Sequence, residues 1–354
     1  MEMIGIDIHR KECQATVLDD SGNVQEQRRF ESKTDAITAF MSRHPDAKVA
    51  IEATAMYEHI YDTIRSCGNK VVVANPLKTR LIADARVKTD KVDSRILAML
   101  MKSDMLPEAY VPEEEIREAR KDVRERLLLK KTSTAFKNHI YSELLRRGIE
   151  YKDGVLGSKI GRKWAKKTLD EPRLEQTFML LETTEDAIAE YNKERLKPAF
   201  EQNEKAQLIT SLTGIGQYSS LMILAELGDI SRFPDSDKVV SYCGLNPGVH
   251  QSGEHAQYNS ITKTGPNSLR WILIESAHSH LLHCKDKTNC KLCQFYKRIS
   301  RRRGPKIATV AMAAKMVRII YWMLKLNKPY MSQGFETESK HATDNGVHLV
   351  GFDH

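Results

Sequence analysis

Four carboxylates, Asp7, Glu52, Asp90 and Asp93, stand where a single site could be assembled from separate elements. Asp7 lies inside the apolar run Met3-Ile4-Gly5-Ile6-Asp7-Ile8, which as a strand would bury it. A buried carboxylate is strongly unfavourable unless a proton, a cation or a metal compensates it. Asp90 and Asp93 fall in Thr89-Asp90-Lys91-Val92-Asp93-Ser94-Arg95-Ile96, the opening turns of a helix, and their spacing of three puts both on one face. The apolar face of that helix is expected at Val92, Ile96 and Met99 or Leu100. Hard oxygen ligands suit magnesium, and paired ions can clamp the attacking and leaving oxygens of a phosphoryl transfer. Cleavage of a phosphodiester is the chemistry these four acids point to. A local reading competes for the helix: Asp90 caps it, where the dipole favours negative charge, and Asp93 is solvated.

The elements that must hold these acids follow from the surrounding pattern. After the strand around Asp7, Ala15 to Leu18 and Val24 to Phe30 read as two more strands, joined by the turn-favouring Asp19-Asp20-Ser21-Gly22-Asn23. A helix near Asp35 to Arg43, a strand Lys48 to Ala53 containing Glu52, a helix Tyr57 to Cys67 and a strand Val71 to Ala74 stopped by Asn75-Pro76 complete a βββαβαβ order. An α/β domain of ribonuclease-H-like type, residues 1–108, is expected. Beyond Pro107 and Pro112 the pattern changes to long polar helices, with Ile116, Ala119, Val123 and Leu127 in one seam and Leu174, Phe178, Leu181 and Ile188 in another. Narrow seams of this kind suit a coiled-coil-like hairpin or a dimerisation arm over 109–205, or packing within the chain.

A third region, 206–330, reads as mostly helical. Leu208 to Ala225, with Gly214-Ile215-Gly216 at its middle, has the form of a helix-hairpin-helix element whose second helix would offer N–H groups to a phosphate. A tight helix–helix turn is the alternative. Downstream, Tyr242-Cys243-Gly244-Leu245-Asn246-Pro247 precedes a polar loop, His250-Gln251-Ser252-Gly253-Glu254, and Lys263 and Arg270 follow. That arrangement could gather a hydroxyl and positive charge around one phosphate, although a serine needs activation before it attacks. Ser241 reads as structural, on an amphipathic helix with Val239 and Val240; Tyr258 is a weaker nucleophile candidate.

The net charge is +8, and Lys285 to Lys306 concentrates Lys285, Lys287, Lys291, Lys297, Arg298, Arg301, Arg302, Arg303 and Lys306 against the single acid Asp286. Such a run is an electrostatic footprint for phosphates or a solvated charged loop. Arg301, Arg302 and Lys306 join Gly214, Gly216, Lys263 and Arg270 as the expected nucleic-acid contacts. Six cysteines are scattered, with Cys13 and Cys67 far from the rest, which argues against a disulfide framework. The start Met1-Glu2-Met3 runs straight into a strand and no apolar run is read as a membrane span, so a cytoplasmic chain with no membrane partner is expected. His278-x-His280-x-x-His283-Cys284 followed by Cys290-x-x-Cys293 has zinc-ligand spacing in its second half. Cys284, Cys290 and Cys293 are the ligands expected of a structural zinc, with free cysteines in a basic insertion as the alternative. Residues 331–354 read as a polar tail.

Taken together, these residues resemble the DEDD-type insertion-sequence transposases, bridge-RNA-guided serine recombinases that join a RuvC-like N-terminal domain to a C-terminal transposase domain. The resemblance runs from Met3 to about Leu326. It rests on Asp7, Glu52, Asp90 and Asp93, and on Ser252-Gly253 after Gly244-Leu245-Asn246-Pro247. It implies that the four acids hold Mg2+ while Ser252 attacks a DNA phosphate and becomes transiently linked to it, and that the two halves can come from different protomers. Donor and target DNA, an element-encoded guide RNA and a homo-oligomer, dimer or tetramer, are the partners implied. Two other readings remain: a Holliday-junction-type metal nuclease that uses water, and a nucleic-acid-binding scaffold whose acids are structural.

Overall fold

In the computed structural model the chain divides into two compact units, Met1–Val111 and Pro112–His354. The structure describes residues 1–82, 89–252, 255–330, 335–337 and 348–350. The first unit is mixed α/β, in the order β1 (Met3–Ile8), β2 (Glu12–Leu18), β3 (Val24–Glu31), α1 (Thr34–Met41), β4 (Lys48–Glu52), α2 (Tyr57–Ser66), β5 (Lys70–Ala74), α3 (Pro76–Ile82) and α4 (Asp90–Lys102). The five strands form one sheet in the order β3-β2-β1-β4-β5. β2 runs antiparallel to both its neighbours, whereas β1, β4 and β5 are parallel. The Asp19 side chain makes the expected turn, accepting the N–H groups of Ser21 at 2.9 Å and Asn23 at 2.8 Å.

Alternation along the strands gives the sheet two apolar faces. Ile4, Ile6 and Ile8 of β1, with Cys13, Ala15 and Val17 of β2, pack under Ile37 and Phe40 of α1 and Ile60 and Ile64 of α2. The opposite face is covered by α4, whose Leu97 and Met101 pack on Ala50, Val72 and Ala74. Gly5 lets this helix lie directly on β1, because a Cβ there would stand 2.0 Å from the Ser94 carbonyl oxygen and 2.6 Å from the Ala98 nitrogen. Ser94 and Thr16 hydrogen-bond through their hydroxyls at 2.7 Å across the same contact. The buried face of α4 is therefore Ser94, Leu97, Ala98 and Met101, not the expected Val92, Ile96 and Met99 or Leu100. Small residues, rather than the largest apolar ones, face a strand approached this closely. The helix α3 was not expected either; Asn75 accepts the Lys78 N–H at 3.2 Å and Pro76 occupies the first turn, which is helix-starting chemistry.

The second unit is mostly helical: α5 (Glu114–Arg146), α6 (Lys159–Leu169), α7 (Glu175–Tyr191), α8 (Lys197–Glu201), α9 (Glu204–Ile209), α10 (Gln217–Leu227), α11 (Ser236–Tyr242), the hairpin β6 (Pro247–Ser252) and β7 (His255–Ile261), α12 (Asn267–His283), α13 (Lys291–Arg303), α14 (Pro305–Leu326), and the short pair β8 (Phe335–Thr337) and β9 (His348–Val350). α5 and α7 pack together within the chain, but through Ile140 and Leu144, residues of α5 beyond its expected seam, which meet Phe178 and Leu181 of the expected α7 seam. Ala119, expected in the first seam, is exposed, and Arg117 is buried instead. Val123 and Leu127 of α5 belong to the same core as Leu221, Ile272 and Met316, so residue 205 is not a boundary between compact units. Of the tail 331–354, only β8 and β9 are described.

One buried acid fastens α5 to this core. Glu226, 0% exposed, accepts both Nε and Nη2 of Arg124 at 2.8 and 2.9 Å and the Ser268 hydroxyl at 2.7 Å. Burial alone would raise its pKa, but these hydrogen bonds and the Arg124 and Arg120 charges outweigh it and hold the carboxyl below its ordinary value. Arg120 adds bonds to the carbonyls of Ala225 and Glu226 at 2.6 and 2.9 Å. The helix α14 corrects the expectation about apolar runs: by length and composition it is long and apolar enough to cross a membrane. In this fold most of it is buried, with Met312, Met316, Ile320 and Met323 in the core.

The Gly5 contact is open to a direct test. Gly5→Val should lower the stability of the first unit by about 3 kcal/mol, since the clash is with backbone that cannot rotate away. Gly157→Ala, with nothing within 4 Å of its Cβ, should stay close to wild type in the same denaturant titration. Equal stability of the two variants would mean that α4 does not lie on β1.

Candidate active site

Asp7 is two residues beyond Gly5 on β1 and so faces the same side of the sheet, toward α4. Asp90 and Asp93 occupy the first turn of that helix, and Thr89, not Asp90, caps it, its hydroxyl accepting the Val92 N–H. Asp7 is 7% exposed. A residue absent from the expected set, His9, joins the two elements: its Nε2 lies 3.1 Å from Asp7 Oδ2 and 3.3 Å from Asp90 Oδ1. The second oxygen of Asp90 accepts Arg29 Nη2 at 2.9 Å. Glu52 stands one position past the last paired couple of β1 and β4, Ile6 and Ile51, and shares the α4 side with Ala50. Strand register and helix docking thus direct four acids toward one end of the sheet.

The electrostatics show the tension in that arrangement. Burial pushes the Asp7 carboxyl above its ordinary pKa; the His9 charge opposes the shift, and the charges of Asp93 and Asp90 reinforce it. One ligand atom each from Asp7, His9 and Asp90 lies within 4.8 Å of the others. His9 occupies the space between two carboxylates as a cation would, and the oxygens offered are those a hard divalent ion takes. The residues therefore fit a magnesium site. His9 was legible in principle, since a residue two after Asp7 continues the same face.

In the second unit the loop expected around Ser252 is instead a hairpin. The backbone of Ser252 pairs with His255, and Gln251 with Ala256, so Ser252 closes β6 next to the connection. Gly253 and Glu254 lie outside the described residues, and the side chains of 249–259 are likewise not described. The base of the hairpin is clasped by Thr262, which bonds the Asn246 carbonyl through its N–H at 3.0 Å and the Asn246 side chain through its hydroxyl at 2.9 Å. Gly244, at φ +66°, lies so close to Thr264 that a Cβ would meet its carbonyl oxygen at 2.1 Å. Arg270 donates to the Cys243 and Thr264 carbonyls at 3.4 and 3.3 Å, so its donors hold this base in place. Lys263 is exposed beside it. Ser241 lies on α11, as expected, and contributes its carbonyl to Gly244 N–H.

Of the other expected contacts, Arg301, Arg302 and Lys306 are exposed around the junction of α13 and α14. No carboxylate among the described residues pairs with them. Gly216 precedes α10 with open space around it, whereas Gly214, at φ +97°, presses on α12, where a Cβ would meet the Ser276 carbonyl at 2.4 Å. Gly214 is thus a packing glycine in the turn. Cys284, Cys290 and Cys293 do gather, and His280 gathers with them: the four ligand atoms lie within 4.8 Å of one another. His278 and His283 are exposed and stay outside this group.

Comparison with known proteins follows the same division of the chain. Residues 4–147 match the family model of the DEDD transposase domain of IS110 type, and residues 206–292 that of the transposase IS116/IS110/IS902 family. The transposase for insertion sequence element IS1111A of Coxiella burnetii is 27% identical, over 93% of this chain and 91% of its own length. A probable family 20 transposase of Pseudomonas aeruginosa is 24% identical over 93% of this chain and 98% of its own. A pilin gene-inverting protein of Moraxella bovis is 30% identical over 37% of this chain and 40% of its own.

The raised pKa of Asp7 has a sign that can be checked. A carboxyl whose pKa is higher in the folded state stabilises the fold below its unfolded pKa of about 4, and that contribution is lost as pH rises through the folded value. At neutral pH the ionised group therefore weakens the fold. Asp7→Asn should raise the melting temperature at pH 7 in the presence of chelator while abolishing strand cleavage, and added magnesium should raise the melting temperature of wild type alone. A lower melting temperature for the variant in chelator would make Asp7 a structural partner of His9.

Proposed function

The chain belongs to the IS116/IS110/IS902 family of insertion-sequence transposases, and from that premise we propose that its first unit is an RNase H-like, magnesium-dependent catalytic domain and that Ser252 is the nucleophile of DNA strand cleavage and exchange. The observation that carries this reading is the meeting of Asp7 and Asp90 at the end of the central strand, with the charge of Asp93 felt at Asp7 and Glu52 ending the neighbouring strand. A five-stranded sheet in which β2 alone is reversed supports the RNase H-like assignment.

Magnesium bound by Asp7, Glu52, Asp90 and Asp93 would polarise the phosphate and offset the charge that develops on it. The chain's own residues position and react. Rigid strands carry Asp7 and Glu52, and the first turn of α4 carries Asp90 and Asp93. The Ser252 hydroxyl gives its proton to solvent and bonds to phosphorus as one bridging P–O bond of the DNA breaks, the leaving strand-end oxygen taking up a proton to become a free hydroxyl. Attack of a different strand-end hydroxyl on the serine ester restores a DNA phosphodiester and returns the serine hydroxyl. The ester to serine conserves the bond needed for rejoining, which direct hydrolysis would lose. The relative in Moraxella bovis is named for inverting pilin genes, an outcome that requires strands to be both cut and rejoined. Lys263, Arg301, Arg302 and Lys306 meet nucleic-acid phosphates, with the Gly214–Gly216 turn presenting the start of α10. An element-encoded guide RNA supplies target choice, and the protein works as a dimer or tetramer. The long α5 and its partner α7 serve as the coiled-coil arm of that assembly.

Ser252→Ala should eliminate covalent protein–DNA adducts and recombination, because alanine has no oxygen to attack phosphorus. Ser241→Ala should be nearly silent, since that residue's carbonyl survives the change. Magnesium-dependent cleavage by wild type without any adduct would select a water-using nuclease, and an adduct in Ser252→Ala protein mapped to Tyr258 would overturn the serine assignment. The basic residues are tested by salt titration: Arg301→Ala and Arg302→Ala should each weaken nucleic-acid binding across sequences and reduce the slope of log affinity against log salt by about 1. Unchanged slopes would remove them from the interface.

A further inference from the structure

We propose that His280, Cys284, Cys290 and Cys293 form a structural zinc site that fastens three segments of the second unit together: the end of α12, the start of α13 and the turn before α10. The inference does not rest on the magnesium reading, because its donors and its readouts are separate. His280 lies in the last turn of α12 and is 2% exposed. Cys284 follows that helix directly, its N–H bonded to the His280 carbonyl at 2.9 Å. Cys290 precedes α13, and Cys293, 1% exposed, lies in its first turn.

The spacing of the four ligand atoms suits a tetrahedral site. Zn–S bonds of about 2.3 Å and Zn–N bonds of about 2.0 Å place neighbouring ligand atoms roughly 3.5–3.8 Å apart. Here His280 Nε2 stands 3.2 Å from Cys290 Sγ, and all four ligand atoms lie within 4.8 Å of one another. Shifts of about 1 Å would suffice to close such a site around an ion. His280 is also oriented as metal-binding histidines are: its Nδ1 lies 2.8 Å from the Thr213 carbonyl, so Nδ1–H donates there and Nε2 is left bare toward the sulfurs.

The loop between Cys284 and Cys290 is closed by its own hydrogen bonds. Asp286 accepts the N–H groups of Thr288 and Asn289 at 3.2 and 3.0 Å, and its own carbonyl accepts the Cys290 N–H at 3.0 Å. Cys290 is thereby delivered to Cys284 across the loop. Metal binding would replace the cysteine thiol protons, released to solvent, with Zn–S bonds. Three thiols and an imidazole suit zinc rather than magnesium, which takes oxygen. The mechanical consequence is that the basic helix α13 and the Thr213–Gly214 turn are held in register through α12.

The test is metal content of the full-length protein purified under reducing conditions without chelator. One zinc per chain is expected, along with uptake of cobalt giving the intense visible bands of a tetrahedral thiolate complex. His280→Ala and Cys290→Ser should reduce bound zinc at least tenfold, whereas His278→Ala and His283→Ala should retain it. Thiol modification of wild type should release the zinc and lower the melting temperature by roughly 5 °C or more, a readout that remains usable if a cysteine variant fails to fold. Protein that holds less than a tenth of an equivalent of zinc and takes up no cobalt, or that loses zinc on His283→Ala but not on His280→Ala, would overturn the site. Neither readout involves DNA or magnesium, so failure here leaves the cleavage reading untouched and the reverse is equally true.

Discussion

The backbone-to-backbone contact of α4 with β1 at Gly5 is the constraint from which the acid site follows. With no side chain at position 5, the helix approaches until the Ser94 carbonyl and the Ala98 nitrogen occupy the space a Cβ would need. The start of α4 is then fixed relative to the end of β1, and Asp90 arrives within reach of the same imidazole as Asp7. Parallel pairing of β1 with β4 adds Glu52 without any further adjustment. The start of a helix tolerates negative charge because its free N–H groups carry partial positive charge. That favours Asp90 and Asp93, but Asp7, on a buried strand, has no such help and depends on His9. An acid inside an otherwise apolar strand is a conflict between local pattern and burial, and here the neighbouring imidazole is its compensation.

Much of the first unit was legible because its signals are local. Strand alternation, the Asp19-to-Asn23 turn and the stop at Asn75 are properties of a few adjacent residues, and the observed βββαβαβ order follows them. The misses share a different cause. Hydrophobicity alone points to the wrong face of α4, because the decisive partner is a glycine more than eighty residues earlier. His9 continues the face of Asp7, but what its imidazole does is set only by Asp90, which helix docking brings opposite. The polar stretch His250 to Glu254 suits a loop as well as a hairpin, so the pairing of Ser252 with His255 carries no signal in composition alone. Asn75-Pro76 was used only as a strand stop, yet the same pair is a helix start.

In the second unit composition misleads where burial decides. The helix α14 has the length and apolarity of a membrane span, yet the side chains that produce that signal are the core of a helical bundle. The reverse holds for Glu226, which any composition-based reading would put on the surface. Fully buried, it is compensated by a two-point contact with Arg124 and by Ser268, an arrangement in which removing either partner strands a charge in the interior. The polar seam of α5 is therefore more than solvated charge: its arginines lock a long helix to α10 through carbonyls and a carboxylate. That lock adds to the packing of Val123 and Leu127 in this core and to the Tyr218 hydroxyl, which donates to the Val123 carbonyl at 3.0 Å.

The two clusters of ligand atoms found among the described residues differ in the one property that governs which ion a site accepts. The first offers carboxylate oxygens and a single imidazole on a sheet end, where bonding is largely electrostatic and water can complete the coordination of a small hard ion. The second offers three sulfurs and one imidazole, where covalency favours a softer ion and leaves no position for water or substrate. Each donor set discriminates against the ion that suits the other. The histidines of the two clusters differ in the same sense: His9 is half-exposed between Asp7 and Asp90, while His280 is buried with its Nδ1 held at 2.8 Å from the Thr213 carbonyl.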